Sequence, residues 1–223
     1  MTDPRILAHR GASGQAHENT LEAFRLARQL GADGVELDVH ASGDGHLIVH
    51  HDSGIPGLGA IRAASLEAIR QVSLPHGQAV PTLEEALEAL SGLEVWVEIK
   101  TLPPEVDPRL VSILESSRDS CRLGVHSFDH RIVARLGSAG SWLRRGVLSA
   151  SYPIAPVRAV LKAGANALWQ QWHLIDADLV RAAHDAGVEV IAWTVNSAVD
   201  ARGLAELGVD ALCGNYPERL RAS

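Results

Sequence analysis

The sequence predicts a (β/α)₈ TIM barrel, and three observations carry that prediction. Short apolar runs alternate with helical patterns along 223 residues. A glycine-led phrase recurs where helix gives way to strand: Gly31-Ala32-Asp33-Gly34, Gly164-Ala165-Asn166-Ala167 and Gly208-Val209-Asp210-Ala211. Pro/Ser-rich or charged linkers are missing throughout, so residues 1–223 are expected to form one domain. A glycine after a helix takes the left-handed cap, and the next strand begins at once. About eight such units in a chain near 250 residues match this barrel. An open doubly wound sheet is the alternative. Its Gly-rich first turn has only a weak imitation in Gly11-Ala12-Ser13-Gly14.

The elements follow in order. Residues 5–8 read as the first strand, and 20–30 as a helix with Phe24, Ala27 and Leu30 at helical spacing. Residues 34–39 are the second strand. Ser42-Gly43-Asp44-Gly45 is a hairpin-turn signal, so this strand folds back through an extra one that brings His51 to the barrel mouth. Residues 53–80 are a short excursion bearing Gly54, Gly57, Gly59 and Gly77, of the length of a lid. Thr82 and Glu85 stand in capping-box spacing at the head of a helix over 82–90. Strands are then expected at 94–99, 122–127, 146–148, 167–170, 189–195 and 211–213. Helices are expected at 107–116, 130–136, 156–163, 176–186 and 197–207.

Composition excludes several classes of function. A hydrophobic fraction of 46% supports a sizeable core, and a net charge of −7 without a basic tract makes a poor nucleic-acid binder. The opening eight residues read as neither signal peptide nor membrane anchor. Cys121 and Cys213 are far apart in apolar contexts. They suit core positions in a reducing, cytoplasmic setting better than a disulfide.

The second strand carries the chemistry. In Gly34-Val35-Glu36-Leu37-Asp38-Val39 the side-chain period of two puts Glu36 and Asp38 on one face and the apolar residues on the other. Glu98-Ile99-Lys100 repeats the pattern after Val95-Trp96-Val97. Buried acids are costly unless a cation or donors compensate them, so the trio Glu36, Asp38 and Glu98 reads as an oxygen site for one hard divalent cation. Mg²⁺ and Ca²⁺ suit such a shell, with Mn²⁺ also compatible. Active sites of this barrel lie at the C-terminal strand ends, where His9, Arg10, His51, Lys100 and Trp193 also fall. Trp193 and Phe128 are candidates for an aromatic wall against the organic part of a substrate. His126 stands where it could reach the same mouth.

Further motifs run in register with these. Ala8-His9-Arg10-Gly11, His17-Glu18-Asn19-Thr20, Glu36-Leu37-Asp38-Val39 and His51-Asp52 are followed by Val80-Pro81-Thr82-Leu83-Glu84-Glu85-Ala86 and Glu98-Ile99-Lys100. Ser127-Phe128-Asp129, Trp193-Thr194-Val195-Asn196 and Gly208-Val209-Asp210 complete the set. In this order and spacing the chain resembles the glycerophosphodiester phosphodiesterase family over essentially its whole length. The resemblance implies hydrolysis of a small-molecule glycerophosphodiester to glycerol 3-phosphate and an alcohol, without stable membrane insertion. It carries metal ligation onto Glu36, Asp38 and Glu98, proton transfer onto His9 and His51, phosphate contacts onto Arg10 and Lys100, and support onto Glu18 and Asn19. A phosphodiester is anionic, so a cation and an Arg fork must neutralise it, and histidines titrating near neutrality suit the proton transfers.

Three positions depart from the family pattern. His17 stands where proline is usual before Glu-Asn-Thr, Gly214-Asn215 replaces Thr-Asp after the last strand, and the excursion lacks an Arg-Thr-Thr run. The rival readings are a phospholipase-like lipid phosphodiesterase and a non-catalytic phosphate-binding barrel. The first wants a membrane-facing anchor. The second should have lost a proton-transfer group, yet both histidines are present.

Overall fold

The computed structural model describes residues 3–221. The outermost two positions at each end of the expected 1–223 unit lie outside that range. The strands are β1 (Arg5–His9), β2 (Gly34–Ala41), β3 (Leu47–Val49), β4 (Gly54–Ile55), β5 (Gly59–Ala60), β6 (Glu94–Thr101), β7 (Arg122–Ser127), β8 (Arg144–Ser149), β9 (Ala167–Gln171), β10 (Glu189–Trp193) and β11 (Ala211–Gly214). The α-helices are α1 (Leu21–Gln29), α2 (Leu66–Arg70), α3 (Leu83–Ala89), α4 (Asp107–Ser117), α5 (His130–Arg135), α6 (Arg158–Lys162), α7 (Ala177–Asp185), α8 (Ala198–Leu207) and α9 (Pro217–Leu220).

Eight strands run parallel in the order β1-β2-β6-β7-β8-β9-β10-β11. Because β1 pairs with both β2 and β11, the sheet closes. The predicted (β/α)₈ barrel is therefore the observed fold. Helices start where the sequence signals them. Thr20 and Asp176 cap α1 and α7 by accepting backbone N–H bonds, and Thr82 with Glu85 forms the reciprocal box at α3. No helix among the described residues is long and apolar enough to cross a membrane.

The barrel interior is layered, as strand alternation demands. At the N-terminal end Arg5 and Arg144 clasp Glu94 and Glu189. The middle layer holds Leu7, Trp96, Trp169, Ile191 and Cys213. The C-terminal layer holds the charged residues of the candidate site. Two indoles fit side by side only because the neighbouring strands place glycine opposite them. A Cβ on Gly124 would lie 2.5 Å from Trp96 Cε3, and one on Gly146 2.8 Å from Trp169 Cδ1.

The excursion departs from expectation. Instead of a bare loop, residues 53–80 fold as the β4–β5 hairpin followed by α2, over a small core of their own. Ile55, Ile61, Ile69, Leu74 and Val80 pack on Ile48 of β3 in that core. These isoleucines are spaced too irregularly for a helix or strand pattern, so the sequence reads as loop. α9 also lies beyond the predicted elements, although Pro217 at its first position is a start signal.

Overpacking the middle layer is expected to be costly. Gly124→Ala should destabilise by about 2 kcal/mol, lowering Tm by roughly 4–8 °C for a chain of this size. Thermal unfolding checks this, and an unchanged Tm would show that Trp96 can move aside.

Candidate active site

The strand period brings the predicted carboxylates together. Glu36 and Asp38 leave β2 toward the barrel axis, and Glu98 does so from β6, in register with Asp38. Each offers an oxygen, and the three atoms lie within 4.8 Å of one another. All three side chains are buried. Lys100 Nζ stands 3.0 Å from Asp38 Oδ1 and 2.7 Å from Glu98 Oε1. Arg10 Nε lies 3.0 Å from Asp38 Oδ2, and its Nη1 lies 3.0 Å from Glu18 Oε2. Asn19 grips Asp38 twice: its Nδ2 donates to Oδ2 at 2.8 Å, and its Oδ1 accepts from the Asp38 backbone N–H at 3.2 Å.

The β1–α1 loop that supplies these groups is bent. Arg10 and Asn19 both hold φ 56°, in the left-handed region. Gly11, at φ 78°, packs so close to α1 that a Cβ would meet the Ala23 carbonyl carbon at 2.7 Å, so glycine is required there.

The two predicted catalytic histidines flank the acids. His9 Nε2 is 3.9 Å from Glu36 Oε2, while its Nδ1 is held at 2.7 Å by Asn215 Oδ1. His51 Nδ1 is 2.9 Å from Asp52 Oδ1. Both histidines line a cavity of about 120 Å³ together with Arg10, Glu36, Glu98 and Lys100. Phe128 and Trp193 form its outer wall, edge to face with centroids 5.6 Å apart. His50 turns instead to the Asp52 carbonyl. A larger hollow of about 780 Å³ opens at the opposite end of the barrel, walled by Arg5, Glu94, Arg122 and Arg144. Glu94 is already ion-paired there, so the hollow offers no free acid–base pair of the kind found at the mouth.

Residues 9–219 match the model of the glycerophosphoryl diester phosphodiesterase family. The chain belongs to that family. A glycerophosphodiester phosphodiesterase from Caldanaerobacter subterraneus is 31% identical over 231 residues, covering 96% of this chain and 95% of its own. A solved phosphodiesterase from Oleispira antarctica, in complex with the product sn-glycerol-3-phosphate, aligns with a TM-score of 0.91 at 29% identity, over 97% of this chain and 95% of that one. A glycerophosphodiester phosphodiesterase from Thermotoga maritima aligns with a TM-score of 0.81 at 26% identity, over 98% and 97% of the two chains.

In this phosphodiesterase the acids are under electrostatic load. Burial, reinforced by the Asp38 charge, pushes Glu36 up to about 7. Burial and the Glu36 charge push Glu98 up to about 7 as well. Burial also acts against ionised Asp38, yet Lys100 and Arg10 hold it below the usual carboxylate value. Glu36 Oε1 is buried without a hydrogen-bond partner. Three convergent carboxylates, with Glu36 Oε1 orphaned and Asp38 Oδ1 met only by the Lys100 charge, fit a hard divalent cation of the oxygen-ligand class.

Two groups were less legible in advance. Asn215 sits at the position where the sequence departs from the family pattern, and it turns out to face His9. Its own backbone is fixed on both sides: the N–H donates to Asn196 Oδ1 at 2.8 Å, and the carbonyl accepts from Gly14 at 2.9 Å. His126 reaches the cavity wall and is 1% exposed; burial lowers its pKa to about 4, so it is neutral.

The raised glutamates make the ion-free fold sensitive to pH. Between the ordinary glutamate value of 4.5 and about 7, the folded chain holds protons that the unfolded chain has released. Stability from these groups is therefore present at low pH and lost as pH rises through about 7. In excess chelator, Tm of the native chain should fall between pH ~5.5 and ~7.5 relative to a Glu36→Gln/Glu98→Gln variant. Parallel melting curves for the two proteins would contradict the shifted values.

Proposed function

We propose that the chain hydrolyses glycerophosphodiesters to glycerol 3-phosphate and an alcohol, with a divalent cation held by Glu36, Asp38 and Glu98. The observation that carries this reading is the convergence of three buried carboxylates at a cavity that His9 and His51 also line. The Oleispira relative, whose solved complex holds sn-glycerol-3-phosphate, supports the product. When bound, the cation neutralises phosphate oxygens and lowers the charge barrier to nucleophilic attack. Mg²⁺, Ca²⁺ and Mn²⁺ all accept such an oxygen set.

The remaining work falls to side chains. Arg10 and Lys100 each already meet two carboxylates, and arriving phosphate oxygens would give each cationic group a third anionic partner. Glu18 and Asn19 hold Arg10 and Asp38 in place. The histidines differ in what binds Nδ1. The neutral Asn215 acceptor holds a hydrogen on His9 Nδ1, which leaves Nε2 as the lone-pair side toward the site. His9 is thereby suited to accept the nucleophile's proton. His51 Nδ1 meets the Asp52 carboxylate, which orients the ring, and we assign His51 to protonate the leaving alkoxide. Phe128 and Trp193 offer apolar surface to the organic group. Residues 53–80 form the flank beside His51, and we assign them to a single catalytic domain as its rim. The two free, buried thiols Cys121 and Cys213 favour a reducing, cytoplasmic location.

Leaving-group dependence tests the division of roles. On glycerophosphocholine, His9→Ala and His51→Ala should each lower kcat by about 10²–10⁴. On the p-nitrophenyl ester of glycerol phosphate the leaving group needs no proton, so His51→Ala should recover to within about tenfold of the parent while His9→Ala should not. Equal losses on both substrates would remove the assignment. Chelation should abolish release of glycerol 3-phosphate, and turnover that survives it would remove the cation.

A further inference from the structure

We propose that His126 is a nitrogen donor to the cation of the carboxylate trio and turns that site toward Mn²⁺ and away from Ca²⁺. This rests on the reading of Glu36, Asp38 and Glu98 as a cation site.

The argument begins with β7. Gly124 and His126 alternate on its inward face, and His126 pairs in register with Glu98 of β6. The ring is locked by aromatic neighbours, with Trp169 tilted over it at 4.1 Å between centroids and Trp96 edge-on at 5.8 Å. Neither ring nitrogen has a hydrogen-bond partner, although both are buried. A buried imidazole with nothing to bond is destabilising, so a residue serving only as packing is poorly explained there.

The second observation is what the ring faces. Nε2 is 3.7 Å from Glu36 Oε1, the same oxygen that lacks a partner. That separation is too long for a hydrogen bond. Two atoms bound to one ion at about 2.1 Å each stand at most about 4.2 Å apart. The gap therefore matches two donors sharing an ion, and one ion would satisfy Nε2 and Glu36 Oε1 together, with Nδ1 still unpartnered.

The donor type then sets preference. Ca²⁺ and Mg²⁺ take oxygen, whereas imidazole suits first-row transition ions. Mn²⁺ keeps the preference for carboxylate oxygens but, as a first-row transition ion, accepts an imidazole more readily than Ca²⁺ or Mg²⁺, so three oxygens and one nitrogen favour it among the three. The other flanking imidazole, His9, also turns Nε2 toward Glu36, at 3.9 Å from Oε2, but it is partly exposed at the mouth, whereas both His126 nitrogens are sealed in without partners.

Pulsed electron paramagnetic resonance of the Mn²⁺-loaded full chain tests this directly. The parent should show ¹⁴N modulation of a directly bound imidazole, and His126→Gln should lose it while His9→Gln keeps it. By titration calorimetry, His126→Gln should weaken Mn²⁺ about tenfold or more and leave Ca²⁺ within about twofold. Tight Mn²⁺ binding without ¹⁴N coupling in the parent would overturn this proposal alone, and that spectrum needs no variant to fold. Coupling that persists in His126→Gln would overturn it too. Failure of the parent to bind any of the three ions would overturn both this proposal and the cation reading beneath it.

Discussion

Three carboxylates forced into one end of a closed barrel are the constraint around which this molecule is arranged. Water cannot solvate them fully, because Glu36 and Asp38 are buried on strands with neighbours on both sides. Their mutual repulsion has to be met by fixed positive charge, by protons or by an ion. The fold supplies only part of the first. Arg10 and Lys100 both reach Asp38 and Lys100 also meets Glu98, yet burial and mutual repulsion keep Glu36 and Glu98 raised, with Glu36 Oε1 unbonded.

The opposite end of the barrel shows what complete compensation looks like. Glu94 lies on the same strand as Glu98, four residues earlier, and is similarly buried at 5% exposure against 7%. There Arg5 and Arg144 both bond it, and Trp96 Nε1 donates to it at 2.7 Å. Arg5 and Arg144 overcome the burial effect and hold Glu94 below its ordinary value. One strand thus carries two buried glutamates with opposite fates. The one held by two arginines stabilises the barrel floor, and the one met by Lys100 alone faces the cavity where chemistry is expected. Burial alone does not separate these roles; the count of cationic partners does.

Much of this was legible in the sequence, and the reason is periodicity. Alternation on β2 and β6 identifies which acids share a face before any coordinates exist, and the glycine-led junctions number the βα units. Legibility ended where partners come from unrelated parts of the chain. Asn215 and His9 are separated by nearly the whole length, and no local pattern announces a 2.7 Å contact between them. The small core under residues 53–80 was hidden because its isoleucines follow neither period. His126 was readable as a mouth residue but not as an unbonded one, since hydrogen-bond satisfaction is a property of packing and not of spacing.

The β1–α1 loop ties the site's electrostatics to its backbone. Left-handed φ at a non-glycine residue costs of order 1–3 kcal/mol and persists only where the surroundings impose it. Arg10 and Asn19 both adopt it, and both are bonded to the acids: the Arg10 backbone N–H to Glu36 at 3.2 Å, and the Asn19 amide to Asp38 at 2.8 Å. The charge that the barrel cannot neutralise is therefore also what holds the loop in its bent form. That loop carries His9 at one end and the Arg10 guanidinium above the acids, the two groups proposed as base and phosphate fork. An ion that relieved the acids would change the forces on the loop that presents both groups, so on the proposed reading ion occupancy and substrate positioning are coupled through the same few hydrogen bonds.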